Sequence, residues 1–355
     1  MAEEIKKRKA ACAGNIGIDI IPHFTNKKAG SVADVIIPGR ITHIEGSGVH
    51  PGGSPGNTGL AMNLFGIDTV ICGKTGNDPF GDMLCRMLDD AGGAGTSAGI
   101  IRSDDVYTAW SVIISPAGLD RSILQNPGAN DDFGFDDIDF DLLRGCSLLH
   151  FGHPPSMKKI YENSGRELVR IFSAAQEAGM LTSLDMCAVD PSSDAADCDW
   201  QEFLAEVLPY TDFFVPSIDE LKYMTGAHAK EPPEMTARRA RELGASNILI
   251  KCGSDGMYFE NAGEAVIRSI EDRLEISTGS MDSWIGVSGS APAKKAQKEV
   301  SGLGAGDTSI AAYLSAMLRG YDFRDCIDLA LTEGALCVTA EDAVSGLLPF
   351  EELSR

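Results

Sequence analysis

Ser147-Leu148-Leu149-His150-Phe151 is an apolar run of strand length, residues 157–178 carry a helical pattern, and Leu181-Thr182-Ser183-Leu184 returns to strand length. A strand, a helix and a second strand in that order predict a βαβ unit, because a crossover of helical length brings the chain back parallel to itself. The rhythm continues outward in both directions. Strand-length runs at 16–21, 69–72, 213–215 and 247–251 join these two, and helical patterns follow most of the six at 57–65, 79–88, 200–208 and 218–225. The expected fold is α/β: a mostly parallel sheet with helices on both faces, three layers in all.

Two segments depart from this rhythm. Residues 31–48 and 106–125 are rich in β-branched residues and turns without a helical period, as in Val32-Ala33-Asp34-Val35-Ile36-Ile37 and, on either side of Pro116-Ala117-Gly118, Ala109-Trp110-Ser111-Val112-Ile113-Ile114 and Arg121-Ser122-Ile123-Leu124. They predict hairpins that pair into a small separate sheet, a lid on the α/β core, or else an antiparallel edge of the main sheet. A third irregular stretch, 277–298, is rich in Gly, Ser, Ala and Lys around a lone Trp284. Loops of this length are often functional.

At about 150 residues per domain, 355 residues allow two domains or one large one. Thirty basic against 52 acidic residues leave a formal charge of -22, which argues against nucleic acid or an anionic membrane as partner, since both need a positive field. An anionic ligand would need a local device such as a helix N-terminus. The nine cysteines contain no C-x-x-C pair and sit mostly in apolar runs, so they read as free thiols of a reducing compartment. Residues 1–9 carry both charge signs and precede no long apolar run, so no signal peptide is expected, and no stretch is long enough to span a bilayer. A cytoplasmic location is expected.

Four polar motifs stand at predicted strand ends or helix starts. Gly52-Gly53-Ser54-Pro55-Gly56-Asn57 leads into a helix; its glycines let a ligand approach the backbone, and Asn57 suits a sugar hydroxyl, or simply caps the helix. Gly302-Leu303-Gly304-Ala305-Gly306-Asp307-Thr308 precedes a small-residue helix. It is neither the dinucleotide fingerprint, since Asp stands at 307 where glycine is needed, nor a P-loop. Amides at a helix start suit a transferring phosphoryl group, and Asp307 beside them would accept a proton from an attacking hydroxyl, unless it only caps the helix. Ile250-Lys251-Cys252-Gly253-Ser254-Asp255-Gly256 is a strand and glycine turn, by itself an ordinary hairpin. Ser217-Ile218-Asp219-Glu220 follows the strand at 213–215, where α/β sheets place ligands, although acidic residues at a helix start are common without function. His153 ends a predicted strand and is either structural or a pocket residue. The six histidines form no H-x-x-x-H or Cys/His cluster, and no G-x-S-x-G elbow occurs.

Taken in this order, with Gly14-Asn15-Ile16-Gly17-Ile18-Asp19 before them and Gly73-Lys74-Thr75-Gly76-Asn77-Asp78 between, the motifs resemble the ribokinase-like (PfkB) family of carbohydrate and nucleoside kinases. The resemblance covers nearly the whole chain and implies one ribokinase-like α/β domain over 1–355, with a lid from about 31–48 and 106–125 that often forms a homodimer contact. It implies an ATP- and Mg2+-dependent phosphotransferase acting on the primary hydroxyl of a sugar or polyol, or alternatively on a nucleoside for which Trp110 or Trp284 would stack the base. A third reading is a non-catalytic sugar or nucleotide sensor on the same fold. Asp307 matches the family's catalytic base, and Gly304, Ala305 and Gly306 its anion hole. Asp19, Gly52, Gly53, Asn57 and His153 match substrate-binding positions. Lys251, Gly253, Ser254, Gly256, Ser217 and Asp185 fall on the nucleotide side, and Glu220 matches the residue that orients magnesium through water. Ser217 replaces the family's Asn, Val189 stands where the D-P-N-x-R stretch ends in Arg, and Ser301-Gly302 replaces the Asp-Thr associated with a monovalent-cation site.

Overall fold

The computed structural model describes residues 8–25, 29–116, 119 and 121–353. Its strands, in chain order, are β1 (Lys9–Gly14), β2 (Gly17–Phe24), β3 (Ile44–Gly52), β4 (Asp68–Gly76), β5 (Gly99–Ser103), β6 (Trp110–Ile114), β7 (Ser122–Asn126), β8 (Leu148–Gly152), β9 (Leu181–Leu184), β10 (Phe213–Phe214), β11 (Asn247–Lys251), β12 (Met257–Glu260) and β13 (Ser288–Ala291). They form two sheets. The larger has nine strands in the order β13-β12-β11-β10-β9-β8-β1-β4-β5, and the smaller has four in the order β3-β2-β6-β7. From β11 to β5 every neighbouring pair is parallel; at one edge β12 alone is reversed, antiparallel to both β11 and β13.

Successive residues along the central strands face opposite cores, as a pleated strand requires. Ala11, Leu149, Phe214 and Ile248 pack with Leu168, Phe172, Phe203 and Leu221 of helices Lys158–Glu177, Trp200–Val207 and Ile218–Thr225. Ala10, Leu148, Phe213 and Leu249 face the other way, against Ile310, Tyr313 and Ile327 of helices Ala305–Leu318 and Phe323–Cys337. Two cores, one on each side of the sheet, make the expected three-layer arrangement. Helix Lys158–Glu177 is interrupted by non-helical backbone at 162–165.

The small sheet differs from expectation in where its strands lie. Residues 31–48 were expected as a hairpin, but 32–34 form one turn of 3-10 helix and the chain is irregular up to Ile44. Ile36, Ile37 and Ile41 there are exposed, Ile41 at 87%, and no strand among the described residues pairs with them. The sheet instead takes β2 and β3, so the run at 16–21 belongs to it and not to the main sheet. The second segment does supply a hairpin, β6 and β7 in antiparallel register from Trp110↔Asn126 to Ile114↔Ser122. Ala117 and Gly118 of its expected turn, like residues 1–7 of the start, lie outside the described residues. His23 and His50 of the small sheet meet Glu341 and Asp342 at 2.5 and 3.7 Å.

The stretch at 277–298 is more ordered than expected. It carries β13, and Trp284 is fully buried against Phe213, Tyr313 and Phe323, so it stacks on the core and not on a ligand. All nine cysteines are free thiols. No helix among the described residues is long and apolar enough to cross a membrane.

Candidate active site

Parallel strands all end on the same edge of a sheet, and the loops that leave that edge can converge on one ligand. Here Asn15 follows β1, His153 follows β8, Asp185 follows β9, Ser217 and Glu220 follow β10, and Lys251 ends β11. These residues line one cleft of about 1540 Å3 together with Asp19, Gly52, Gly53, Asn57, Gly253, Ser254, Gly256 and the run from Gly304 to Asp307, so all sixteen positions named above as site residues meet there. Pockets for one small ligand typically hold about 300–1,000 Å3, so this cleft has room for two substrates side by side.

Asp307 is the point where the two glycine motifs meet. It sits in the first turn of helix Ala305–Leu318, whose N-cap Gly304 has φ +73, a left-handed conformation that favours glycine. A side chain at Gly304 would also run into Ala343, whose carbonyl accepts a hydrogen bond from Thr308 Oγ1 at 3.0 Å. Asn57 Nδ2 donates to Asp307 Oδ2 at 3.0 Å, and Thr58 Oγ1 donates to Oδ1 at 3.3 Å. Asn57 therefore does more than face a ligand, and Thr58 is a site residue not singled out in the sequence. Its position directly after Asn57 at a helix start was the available signal.

Two basic side chains stand near this carboxylate. His153 Nε2 lies 3.4 Å from Asp307 Oδ1 and 3.9 Å from Asp185 Oδ2. The histidine has φ +64, a left-handed conformation uncommon for a residue with a side chain, which aims its ring into the cleft. Lys251 Nζ lies 2.6 Å from Asp185 Oδ1. Burial alone would raise the Asp307 pKa, but the charge and hydrogen bond of His153, the Asn57 amide and the Lys251 charge outweigh it and hold the carboxyl well below its ordinary range. Burial pushes Asp185 up despite Lys251. His153 and Lys251 are both raised: burial opposes their charge, and Asp307 and Asp185 respectively lead the neighbours that overcome it.

On the other wall, Asp19 of β2 lies in register with Ser111 of β6 and His50 of β3. It is largely buried, and desolvation, opposed by the Ser111 hydrogen bond, pushes its pKa up to about 6. A side chain at Gly52 would collide with the Asp19 carboxylate, so glycine there keeps that wall open. Trp110, adjacent to Ile18 across β2 and β6, also faces the cleft.

Ser217 and Glu220 form a reciprocal cap on helix Ile218–Thr225: Glu220 Oε2 accepts from the Ser217 amide at 2.8 Å, and Ser217 Oγ accepts from the Glu220 amide. Ser217 also bridges to Lys251 as a parallel partner, which sets the Glu220 loop beside the lysine. One ligand atom each from His153, Asp185 and Asp307 lies within 4.8 Å of the others.

Residues 31–349 match the family model described as pfkB family carbohydrate kinase. Among curated proteins, the chain is 25% identical to an uncharacterized sugar kinase of Archaeoglobus fulgidus, over 81% of this chain and 98% of the other. It is 26% identical to fructokinase-1 of Zea mays, over 66% and 72%. Its fold is similar to that of Arabidopsis thaliana ribokinase solved with ribose and ATP, with TM-score 0.71, 19% identity and coverage of 98% and 97%. It is also similar to a Burkholderia thailandensis nucleoside kinase solved with inosine, with TM-score 0.68, 17% identity and coverage of 97% and 96%.

Proposed function

Because this chain belongs to the pfkB family of carbohydrate kinases, we propose that it transfers the γ-phosphoryl group of ATP to the primary hydroxyl of a sugar or polyol, with Asp307 as the base. The observation that carries this reading is the pairing of a buried carboxylate with free amides at one helix start, inside a cleft large enough for both substrates. Asp19 and Asn57 hold the acceptor hydroxyls. The acceptor oxygen bonds to the γ-phosphorus as the bond from phosphorus to the bridging β,γ-oxygen breaks, ADP leaves, and the hydroxyl proton passes to Asp307. An alcohol becomes strongly acidic only as its oxygen bonds to phosphorus, so the ionised carboxylate takes the proton late, which fits the loose transition state of this chemistry.

The amides of Gly304, Ala305 and Gly306 face the charge that develops on the transferred group, and they supply locally the positive potential that the net charge of -22 denies globally. Lys251 with Gly253, Ser254 and Gly256 serves the nucleotide. Magnesium takes few protein oxygens and keeps most of its water, so the donor set around Glu220 and Asp185 fits a water-mediated ion, which when bound neutralises phosphate charge. The four exposed residues Ile44, Val49, Ile123 and Leu124 on β3 and β7 support a homodimer through the small sheet. The nine free thiols support a reducing compartment such as the cytoplasm.

A nucleoside acceptor is the second reading, favoured by Trp110, whose ring borders the acceptor wall next to Asp19. Phosphate transfer from ATP to ribose, fructose, inositol, adenosine and cytidine, measured side by side, separates the two. Turnover of a sugar alone supports the first reading and of a nucleoside alone the second. Stabilisation by a sugar without any transfer means a sensor.

A further inference from the structure

From Asp307 a line of polar side chains runs back into the large sheet. Thr58 Oγ1 lies 3.3 Å from Asp307 Oδ1 and 3.4 Å from the Asp307 carbonyl, Ser54 Oγ lies 3.5 Å from Thr58 Oγ1, His150 Nε2 lies 3.2 Å from Ser54 Oγ, and Ser183 Oγ lies 3.0 Å from His150 Nδ1. Ser54, Thr58, His150 and Ser183 are all fully buried. His150 stands in the middle of β8, in register with Cys12 of β1 on one side and Ser183 of β9 on the other. Strand alternation turns it the same way as Leu148, towards the core of helix Ala305–Leu318. A side chain at Gly152 would run into Ser54, so glycine there leaves the space that Ser54 fills beside the ring. A central strand buried on both faces is ordinarily a near-continuous apolar run, so this histidine carries a desolvation cost that its hydrogen bonds must offset.

The chemistry of the groups orders the donors. An ionised carboxylate and a carbonyl only accept, so Thr58 donates to Asp307 whichever of the two oxygens it meets, and its own oxygen is left to accept from Ser54. Ser54, its proton given to Thr58, accepts from the ring at Nε2. Burial pushes the His150 pKa down to about 3, so the ring is neutral, and with its proton on Nε2 the bare Nδ1 accepts from Ser183. Each member then points a proton towards Asp307. We propose that His150 is a positioning residue for Asp307, acting through Ser54 and Thr58 as a chain of donors that fixes Oδ1 while Asn57 fixes Oδ2. The inference rests on the kinase reading above, in which Asp307 is the base. Hydrogen bonds in a dry interior polarise one another, so a donor two groups removed strengthens the last bond of the chain. A carboxylate tied at both oxygens keeps one orientation towards the acceptor hydroxyl, and small losses of such alignment are costly in rate.

Nitrogen NMR of histidine-labelled protein reads the chain without turnover, with His150→Gln assigning the ring. The expected spectrum has the proton on Nε2 and none on Nδ1; a proton on Nδ1 reverses the line and overturns the proposal. Asp307→Asn should shift the Nε2 resonance, and Thr58→Val should abolish that response. A response of equal size in the Thr58→Val background is a through-space effect and also overturns it. In turnover with an accepted sugar, His150→Leu should lower kcat by about tenfold with the KM values for sugar and ATP near those of wild type, and His150→Gln, whose amide can donate to Ser54, should recover most of the loss. In the Thr58→Val or the Asp307→Asn background, His150→Leu should cost nothing further, because residues of one chain are not additive. An unchanged kcat, a change confined to either KM, or losses that add in those backgrounds show that His150 only fills the core. Should His150→Leu fail to fold, Ser54→Ala breaks the same line and is held to the same outcomes. A wild type that phosphorylates no acceptor removes the kinase reading, and the nitrogen spectra still decide the chain.

Discussion

Asn57 and Asp307 stand 250 positions apart in the chain and share a hydrogen bond of 3.0 Å between Nδ2 and Oδ2. In the proposed reading, the amide that faces the acceptor thus also orients the base. Asn57→Ala should therefore raise the KM for sugar far more than that for ATP and lower kcat as well. Equal effects on the two KM values would move the sugar site away from the first glycine loop.

Asp307→Asn preserves shape and both neighbouring donors but removes the proton acceptor. General-base assistance is worth roughly 10²–10⁴ in rate, so kcat should fall by at least the lower figure while sugar and nucleotide dissociation constants stay near those of wild type. Steady-state rates combined with calorimetric binding test this, and a near-normal kcat would falsify the role assigned to Asp307.

The two acidic residues predict an unusual pH profile. Asp307 is held below its ordinary range, whereas Asp19 gains a proton as pH falls through about 6, so that one of its oxygens becomes a donor and no longer accepts a hydrogen bond from an acceptor hydroxyl. The ratio kcat/KM for the sugar should decline below pH 6, while kcat at saturating sugar holds to lower pH, because the former reports the free enzyme. Asp19→Asn should lower kcat/KM and abolish that acid limb. An acid limb that persists in this variant would assign it to another group.

Glu333 is a stability prediction away from the chemistry. Its side chain is buried in helix Phe323–Cys337, Oε1 has no protein partner, Oε2 accepts only a 3.5 Å bond from the Leu348 amide, and desolvation raises its pKa from 4.5 to about 7. The folded protein therefore holds the proton more tightly than the unfolded chain. Its contribution to stability is undiminished below pH 4.5, declines between pH 4.5 and 7, and above pH 7 the full cost of a buried charge remains. Glu333→Gln should raise the unfolding midpoint at pH 8, by an amount equivalent to roughly 2–3 kcal/mol, and change little at pH 5. Thermal melts at the two pH values decide it; a variant less stable than wild type at pH 8 would contradict the assignment.

The exposed side chains of Ile123 and Leu124 lie on β7 at one edge of the small sheet. If that sheet mediates a homodimer, Leu124→Lys should shift sedimentation from dimer to monomer without altering the circular dichroism spectrum. A wild type that sediments as a monomer at micromolar concentration removes the interface.

The parallel core was legible because runs such as Leu181–Leu184 and Asn247–Lys251 are short, apolar and bounded by helical patterns. The strand Lys9–Gly14 was not, since Lys-Ala-Ala-Cys-Ala-Gly has none of the β-branched or aromatic residues that mark strands; it is held there by β4 and β8 on either side. The opposite error occurred at 32–42, where β-branched residues without a strand partner do not form a strand, while Ile44–Gly48 of the same segment pair with β2. In the site, the glycine motifs and Asp307 were recognisable from residue type and order. The contacts of Asp307 with Thr58 and His153 depend on elements far apart in sequence, and no local pattern encodes them.

The place of β1 in the large sheet has a consequence for biosynthesis. It lies between β4 and β8, so one flank of the earliest strand waits for Leu148–Gly152 to be translated. At about 5–20 residues per second that interval is on the order of ten seconds, during which an unpaired backbone edge and its apolar faces are open to other nascent chains. A ribosome-associated chaperone that shields the first segment should raise the yield of folded protein, and slowing elongation before residue 148 should lower it.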